Sequence, residues 1–189
     1  MEDIVVVGFG GHAKSVVDCI ERMGKYHIVG YTDYLKQTTE YAYLGTDEQL
    51  ETIYNSGVRN AVIGVGYLGK DDLREKLYSH LKEIGFALPV IVDPSATVSN
   101  SAKIGEGSFV GKNAVINAEA QIGKMVILNT SSIVEHECIV GDFVHIAVAA
   151  VLCGQVKVGK AAFVGANATV IQCTDVREQQ IVPAGVTIR

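Results

Sequence analysis

Two short stretches of this 189-residue chain carry side chains whose types and spacing could do chemistry. The first is Glu135-His136-Glu137, in the run NTSSIVEHECIVGDFVHIAV from Asn129 to Val148, which also holds His145. Histidine accepts a proton near neutral pH, and an adjacent carboxylate orients the ring and raises its basicity. His136 with Glu137 therefore reads as a general base and the group that tunes it. A solvated corner is the ordinary fate of an isolated acid, but the flanked histidine points to function. Catalytic zinc usually takes three protein ligands; residues 95–189 contain no third histidine, so no metal is expected. The second stretch is Gly8-Phe9-Gly10-Gly11-His12-Ala13-Lys14. Glycines let a backbone approach a ligand, and the first turn of a helix offers N–H groups to a phosphate. Asp33 stands about where a dinucleotide fold places its ribose-binding acid. Gly8-x-Gly10-x-x-Ala13 resembles an NAD fingerprint, although many such loops are only tight turns. Gly64-Val65-Gly66, at the end of an expected third strand, would face the same crevice. Together these glycines and Asp33 suit a ligand with a nucleotide or diphosphate portion.

The elements that must position these groups follow from a repeat. Val98, Ile104, Val110, Ile116, Ile122, Leu128, Val134, Val140, Ile146, Leu152, Val158, Val164, Val170, Val176, Val182 and Ile188 stand six apart without a miss. A period of six fits neither a helix nor a plain strand. It fits a strand and corner repeated three times per coil of a left-handed parallel β-helix, with each aliphatic pointing inward. The position two before is mostly small (Ala96, Ala102, Ser108, Ala114, Ala120), and the position after is often Gly or Asn. Those glycines and asparagines are expected to take the unusual backbone angles of the corners. The first ninety residues alternate instead: strands at Ile4–Val7, Ile28–Tyr31, Ala61–Val65 and Ala87–Val92, helices at His12–Met23, Glu48–Ser56 and Asp71–Ile84. That pattern implies a small parallel sheet covered by helices, a Rossmann-like α/β domain. With a break at Asp93-Pro94, the expected domains are 1–94, holding a ligand with a nucleotide or diphosphate portion, and 95–189, the β-helix.

Charge divides along the same line: residues 1–94 carry 14 acidic and 9 basic side chains, residues 95–189 seven of each. No basic patch suggests nucleic acid, no apolar run is long enough to cross a bilayer, and the acidic Met1-Glu2-Asp3 lacks the flank of a signal peptide. Cys19, Cys138, Cys153 and Cys173 show no CxxC spacing, so buried thiols are expected over disulfides or zinc. A cytoplasmic protein is the expectation.

The run ILNTSSIVEHECIVGDFVHIAV, followed by CGQVKVGKAAFVGANATV, resembles the hexapeptide-repeat sugar acetyltransferases of the NeuD/PglD type. These acylate nucleotide-linked amino sugars, as in the bacillosamine pathway, and are grouped with sialic-acid O-acetyltransferases. The resemblance covers nearly the whole chain, including a G-x-x-G-H turn at Gly8 to His12. It implies His136 as general base, Glu137 tuning it, and His145 touching acetyl-CoA near the thioester. It also implies a cofactor groove lined by backbone at Gly154 and Ala166. The nucleotide-sugar would lie at Gly10, Gly11 and His12, with Asp33 at the base and Gly66 below. A backbone N–H, or a donor near His145, would hold the oxyanion. Lys157 and Lys160 are either corner lysines or contacts to CoA phosphates. Thr32 stands where the bacillosamine enzyme has a second acid, and no G-x-P-A ending is found through Arg189, since Val182 to Gly185 is an in-register row. The activity implied is N-acetylation of a UDP-4-amino-4,6-dideoxy-sugar by acetyl-CoA. O-acetylation of a sialic acid or other sugar is the alternative, and a non-catalytic trimeric nucleotide-binding β-helix the third. His136 and His145 are nine residues apart, half of an 18-residue coil, so one chain cannot bring both to one thioester. A homotrimer with sites between chains would.

Overall fold

The computed structural model describes residues 1–67 and 72–189. Contacts divide them into two compact units, one comprising residues 1–66 and 72–89, the other Tyr67 with residues 90–189. The first is a three-stranded parallel sheet in which β1 (Glu2–Val7) lies between β2 (Tyr26–Thr32) and β3 (Asn60–Ile63). Ile4 to Val7 are wholly buried, as a continuous apolar strand requires when helices cover both faces. Between β1 and β2 runs α1 (Gly11–Met23), which buries Ala13, Val16, Val17, Cys19 and Ile20. It stops at Gly24, whose left-handed backbone returns its N–H to the carbonyls of Ile20 and Glu21. A short α2 (Leu50–Asn55) and α3 (Leu73–Ile84) complete the unit. Asp71, the expected start of α3, lies outside the described residues. The expected fourth strand divides: Ala87 makes one bridge to Asn60, whereas Ile91–Val92 pairs with Phe109–Val110.

The second unit is the left-handed parallel β-helix. Among the described residues, 17 two-residue strands form three sheets of six, six and five. The first face stacks Ile91–Val92, Phe109–Val110, Ile127–Leu128, His145–Ile146, Phe163–Val164 and Ile181–Val182. The second stacks Thr97–Val98, Val115–Ile116, Ile133–Val134, Val151–Leu152, Thr169–Val170 and Thr187–Ile188, and the third runs from Lys103–Ile104 to Asp175–Val176. Partners are 18 residues apart throughout, for example Phe109, Ile127, His145 and Phe163. Each repeat aliphatic points inward with the small residue two before it, and Ala114, Ala120, Cys138, Ala150 and Leu152 are all fully buried. The helix begins at Ile91, so the expected break at Asp93-Pro94 is corrected: it is the corner of the first coil. Asp93 N–H donates to Val110 O, and its carboxylate accepts from Ser95. Pro94 occupies the second position after an aliphatic, where no rung bond uses the N–H, so its missing donor costs nothing.

The corners correct a second expectation. From Val110 to Ile188 the left-handed backbone falls three residues before the aliphatic, not after it. Asn113, Glu119, Met125, Ser131, Glu137, Phe143, Ala149, Gln155, Ala161, Asn167, Cys173 and Gln179 all have φ between 53° and 62°. Left-handed backbone costs an L-residue about 1–2 kcal/mol. From Met125 onward each such residue donates its N–H to a carbonyl of the coil before, as Glu137 does to Ala118 and Gln155 to His136, and a net hydrogen bond of about 1 kcal/mol offsets much of that cost. Side-chain identity there is otherwise free, so polar groups can occupy these corners. The glycines after the aliphatics serve close stacking instead. A Cβ on Gly159 would lie 2.4 Å from Glu178 N, and one on Gly165 2.5 Å from Ala184 N.

Candidate active site

His136 occupies the corner between the second and third faces, in a position where its neighbours fix both ring nitrogens' roles. Its Nδ1 lies 3.1 Å from Glu137 Oε2. A carboxylate only accepts, so Nδ1 carries the proton and Nε2 keeps its lone pair. The ring is exposed and lies over Gly154 of the next coil: a Cβ there would stand 2.6 Å from Cε1 and from Nε2. Glu137 takes a second hydrogen bond at 3.1 Å from Gln155 Nε2. The His136 bond, and then that of Gln155, hold its carboxyl below the usual carboxylate range. Glu135 faces the other way, accepting from Asn117 Nδ2 at 2.8 Å and from the His136 N–H at 3.3 Å.

His145 is different in kind. It projects outward from the first face, yet it is only 7% exposed. Its Nδ1 lies 2.6 Å from the Tyr67 carbonyl, and Tyr67 Oη donates to Ala161 O at 2.7 Å. Phe163 meets the ring edge-on at 5.1 Å, and Asn129 Nδ2 lies 3.4 Å from Nε2. The Tyr67 carbonyl must accept, so a neutral His145 presents an acceptor at Nε2. An oxyanion donor is better supplied by backbone. At Ala118, Thr130 and His136 the preceding side chain (Asn117, Asn129, Glu135) caps the corner N–H. Cys153 and Gly165 precede Gly154 and Ala166 and cap nothing, and among the described residues neither N–H has an acceptor. The carbonyls of Gly154 and Ala166 are bonded to Cys173 and Gly185.

Within one chain these groups do not converge. In a three-sided prism the corner bearing His136 and Gly154 is opposite the first face, which bears His145. Ala166 lies at the corner between the first and second faces.

In the α/β unit, Asp33 Oδ2 accepts the Phe9 N–H at 2.6 Å and Oδ1 the Leu35 N–H at 3.4 Å, so this acid holds the glycine turn. Thr32 is buried with its hydroxyl on Asp47, 2.7 Å away, and so presents nothing to a ligand. A Cβ on Gly8 would meet Val65, one on Gly64 the Gly8 carbonyl, and one on Gly66 the His12 side chain at 3.5 Å. Gly10 and Gly11 have open space where a Cβ would be; Gly10 precedes α1, which has no side-chain cap. Their lack of side chains is demanded by neither packing nor backbone angle, and it leaves room at the N–H end of the helix. A cavity of about 450 Å³ runs from Phe9 along α1 under Thr38 to Tyr41. Asp18, Glu21 and Glu40 against Lys14 make it a poor place for phosphate.

Sequence reasoning missed Tyr67, Asn129 and Gln155. The last is visible in the chain once the 18-residue period is applied to Glu137. Cys138 is buried, with its thiol pushed up by that burial and donating to Cys153 O. Cys153 is only half-buried and Cys173 exposed, against the expectation of buried thiols. Lys160 lies over the Phe143 ring. Among the described residues no group of His, Cys, Asp and Glu could hold a metal, and no helix is long and apolar enough to cross a membrane.

Residues 3–81 match the family model of the PglD N-terminal domain, and residues 86–186 that of the GMPPB C-terminal domain. A histidine-to-asparagine variant of perosamine N-acetyltransferase from Caulobacter crescentus, in complex with CoA and GDP-perosamine, is 31% identical. The match spans 100% of this chain and 89% of that one with a TM-score of 0.94. The acetyltransferase domain of PglB from Neisseria gonorrhoeae is 32% identical over 100% of this chain and 92% of its own, TM-score 0.93. The same domain in complex with acetyl coenzyme A matches at 31% identity over 99% of this chain and 92% of its own, TM-score 0.88.

Proposed function

Since the chain belongs to the PglD-type hexapeptide-repeat sugar acetyltransferases, we propose that it moves the acetyl group of acetyl-CoA to the amine of a nucleotide-linked amino sugar. The acceptor in this reading is a UDP-4-amino-4,6-dideoxy-sugar. His136 is the general base. The observation that carries the reading is the Nδ1–H bond to Glu137, which leaves Nε2 to take a proton. As the neutral amine attacks the thioester carbonyl, His136 Nε2 accepts the proton lost from nitrogen, and Glu137 stabilises the imidazolium. The uncapped N–H of Gly154 or Ala166 suits the oxyanion. When the carbon–sulfur bond breaks, His136 returns its proton to the departing thiolate. A thioester is already activated, so no nucleophilic residue is required, and the raised Cys138 thiol is not one.

The acceptor binds the α/β unit: diphosphate at Gly10 and Gly11 with His12 and Gly66 beside it, and the base near Asp33. Acetyl-CoA binds the β-helix near His145, Gly154 and Ala166. Because His136 and His145 are on opposite sides of one prism, the site forms between neighbouring chains of a homotrimer. The test is mass spectrometry of UDP-, GDP-, dTDP- and CMP-linked amino sugars and of sialic acids after incubation with acetyl-CoA. Acetylation of an amine on a nucleotide-sugar is expected. Acetylation of hydroxyls alone, or of nothing in the panel, sinks the reading.

A further inference from the structure

Corner residues 18 apart stack into ladders along the β-helix. On the ladder beside His136, the left-handed position is held in successive coils by Glu119, Glu137, Gln155 and Cys173. Three of these form a hydrogen-bonded chain. Cys173 Sγ donates to Gln155 Oε1 at 3.3 Å, Gln155 Nε2 donates to Glu137 Oε2 at 3.1 Å, and that same oxygen takes the His136 Nδ1–H at 3.1 Å. The two ends fix which way the amide faces, because the thiol needs an acceptor and the carboxylate a donor. Glu137 itself is about half exposed, with a side chain of 48% relative accessibility, so packing does not hold it. Its rotamer freedom would pass directly to the imidazole it orients. The following coil removes that freedom twice: Gly154 leaves the space in which the ring lies, and Gln155 pins the carboxylate.

We propose that Gln155 is a positioning residue for acetyl transfer, holding the Glu137 carboxylate so that His136 keeps its proton on Nδ1 and its lone pair on Nε2. The proposal rests on the general-base reading of His136. Around the pair, Gln155 on the coil after bonds Glu137 and Cys173 beyond it bonds Gln155, while Glu135 accepts the His136 N–H and turns to Asn117 on the coil before. Glu135 is itself a carboxylate, accepting from Asn117, and the neutral donor to Glu137 is Gln155.

The experiment compares wild type, His136→Ala, Gln155→Ala and Gln155→Glu. It measures kcat, both KM values, the pH–rate profile, and the His136 ring titration by NMR in the resting enzyme. Removing one hydrogen bond to a charged group is expected to lower kcat about tenfold in Gln155→Ala, with both KM values unchanged. Gln155→Glu nearly preserves shape but places a second carboxylate beside the imidazolium. Its acid limb and its His136 titration should therefore move to higher pH. That titration needs no substrate, and it decides the matter even where Gln155→Ala folds poorly. Wild-type kcat in well-folded Gln155→Ala, or an unmoved His136 titration in Gln155→Glu, overturns the proposal while an inactive His136→Ala leaves the base reading intact. An active His136→Ala overturns both.

Discussion

At the scale of single residues, catalysis in this reading depends on which nitrogen of one imidazole carries a proton. Removing the ring in His136→Ala is expected to lower turnover by about 10²–10⁴ with little loss of folding, because the side chain is solvent-exposed. Steady-state kinetics on protein of wild-type melting temperature checks it; undiminished turnover would end the assignment. Glu137→Gln should cost less. The depressed Glu137 carboxyl stays charged while His136 changes protonation, and a carboxylate favours imidazolium. Losing that charge should move the acid limb of the pH–rate profile to lower pH. Gly154→Ala offers a sharper test, since the added methyl would lie 2.6 Å from His136 Cε1 and Nε2. The ring swings away more cheaply than the backbone moves, so kcat should fall while the melting temperature stays near that of wild type. If kcat were retained, the ring would not need its place over Gly154. His136 and Glu137 were legible in the chain because their types are anomalous among small and aliphatic repeats. Gln155 was not, since a corner glutamine is chemically unremarkable until the coil places it on Glu137.

At the scale of elements, glycine has two different jobs. Those that follow the repeat aliphatics permit close stacking, whereas Gly10 and Gly11 open onto space. Gly159→Ala should therefore destabilise by about 1–3 kcal/mol, the usual cost of forced overpacking, as read from denaturant unfolding. Gly10→Ala should leave stability unchanged and weaken nucleotide-sugar binding, measured by calorimetry. Equal stability losses in both, or full affinity in Gly10→Ala, would contradict the distinction. The period of six located every strand from Val98 onward, because each rung needs one inward aliphatic. It did not locate the left-handed residue. Except at Gly107 and Gly185, that position is held by non-glycine residues, most of them supported by an N–H bond to the previous coil, so it leaves little mark on composition.

At the scale of the whole molecule, the proposed reading divides the substrates between the two units. Asp33→Ala should raise the KM for the sugar and leave that for acetyl-CoA almost unchanged, since Asp33 holds the Phe9 N–H of the glycine turn. Collapse of acetyl-CoA affinity instead would refute the division. The shared-site arrangement makes a stronger demand. Inactive His136→Ala chains mixed with inactive His145→Ala chains should regain part of the activity, because some interfaces would then join an intact His136 to an intact His145. Full activity in a species that light scattering shows to be a monomer would rule it out.

The sequence by itself determined the class of both halves and singled out His136 with Glu137 as the candidate base pair. Periodicity is dictated by what must point inward, and His136 next to Glu137 is a local juxtaposition that needs no folding to exist. It also suggested that His136 and His145 diverge, since nine residues is half of an 18-residue coil. Tertiary structure alone decided the protonation geometry. His145 takes its tautomer from the carbonyl of Tyr67, 78 residues away, and Glu137 its second donor from one coil on. It alone assigned Pro94 to a corner and Ile91 to the first rung. Those outcomes depend on hydrogen bonds between residues far apart in the chain, and a one-dimensional pattern of side-chain types does not record which distant carbonyl or amide will be within reach.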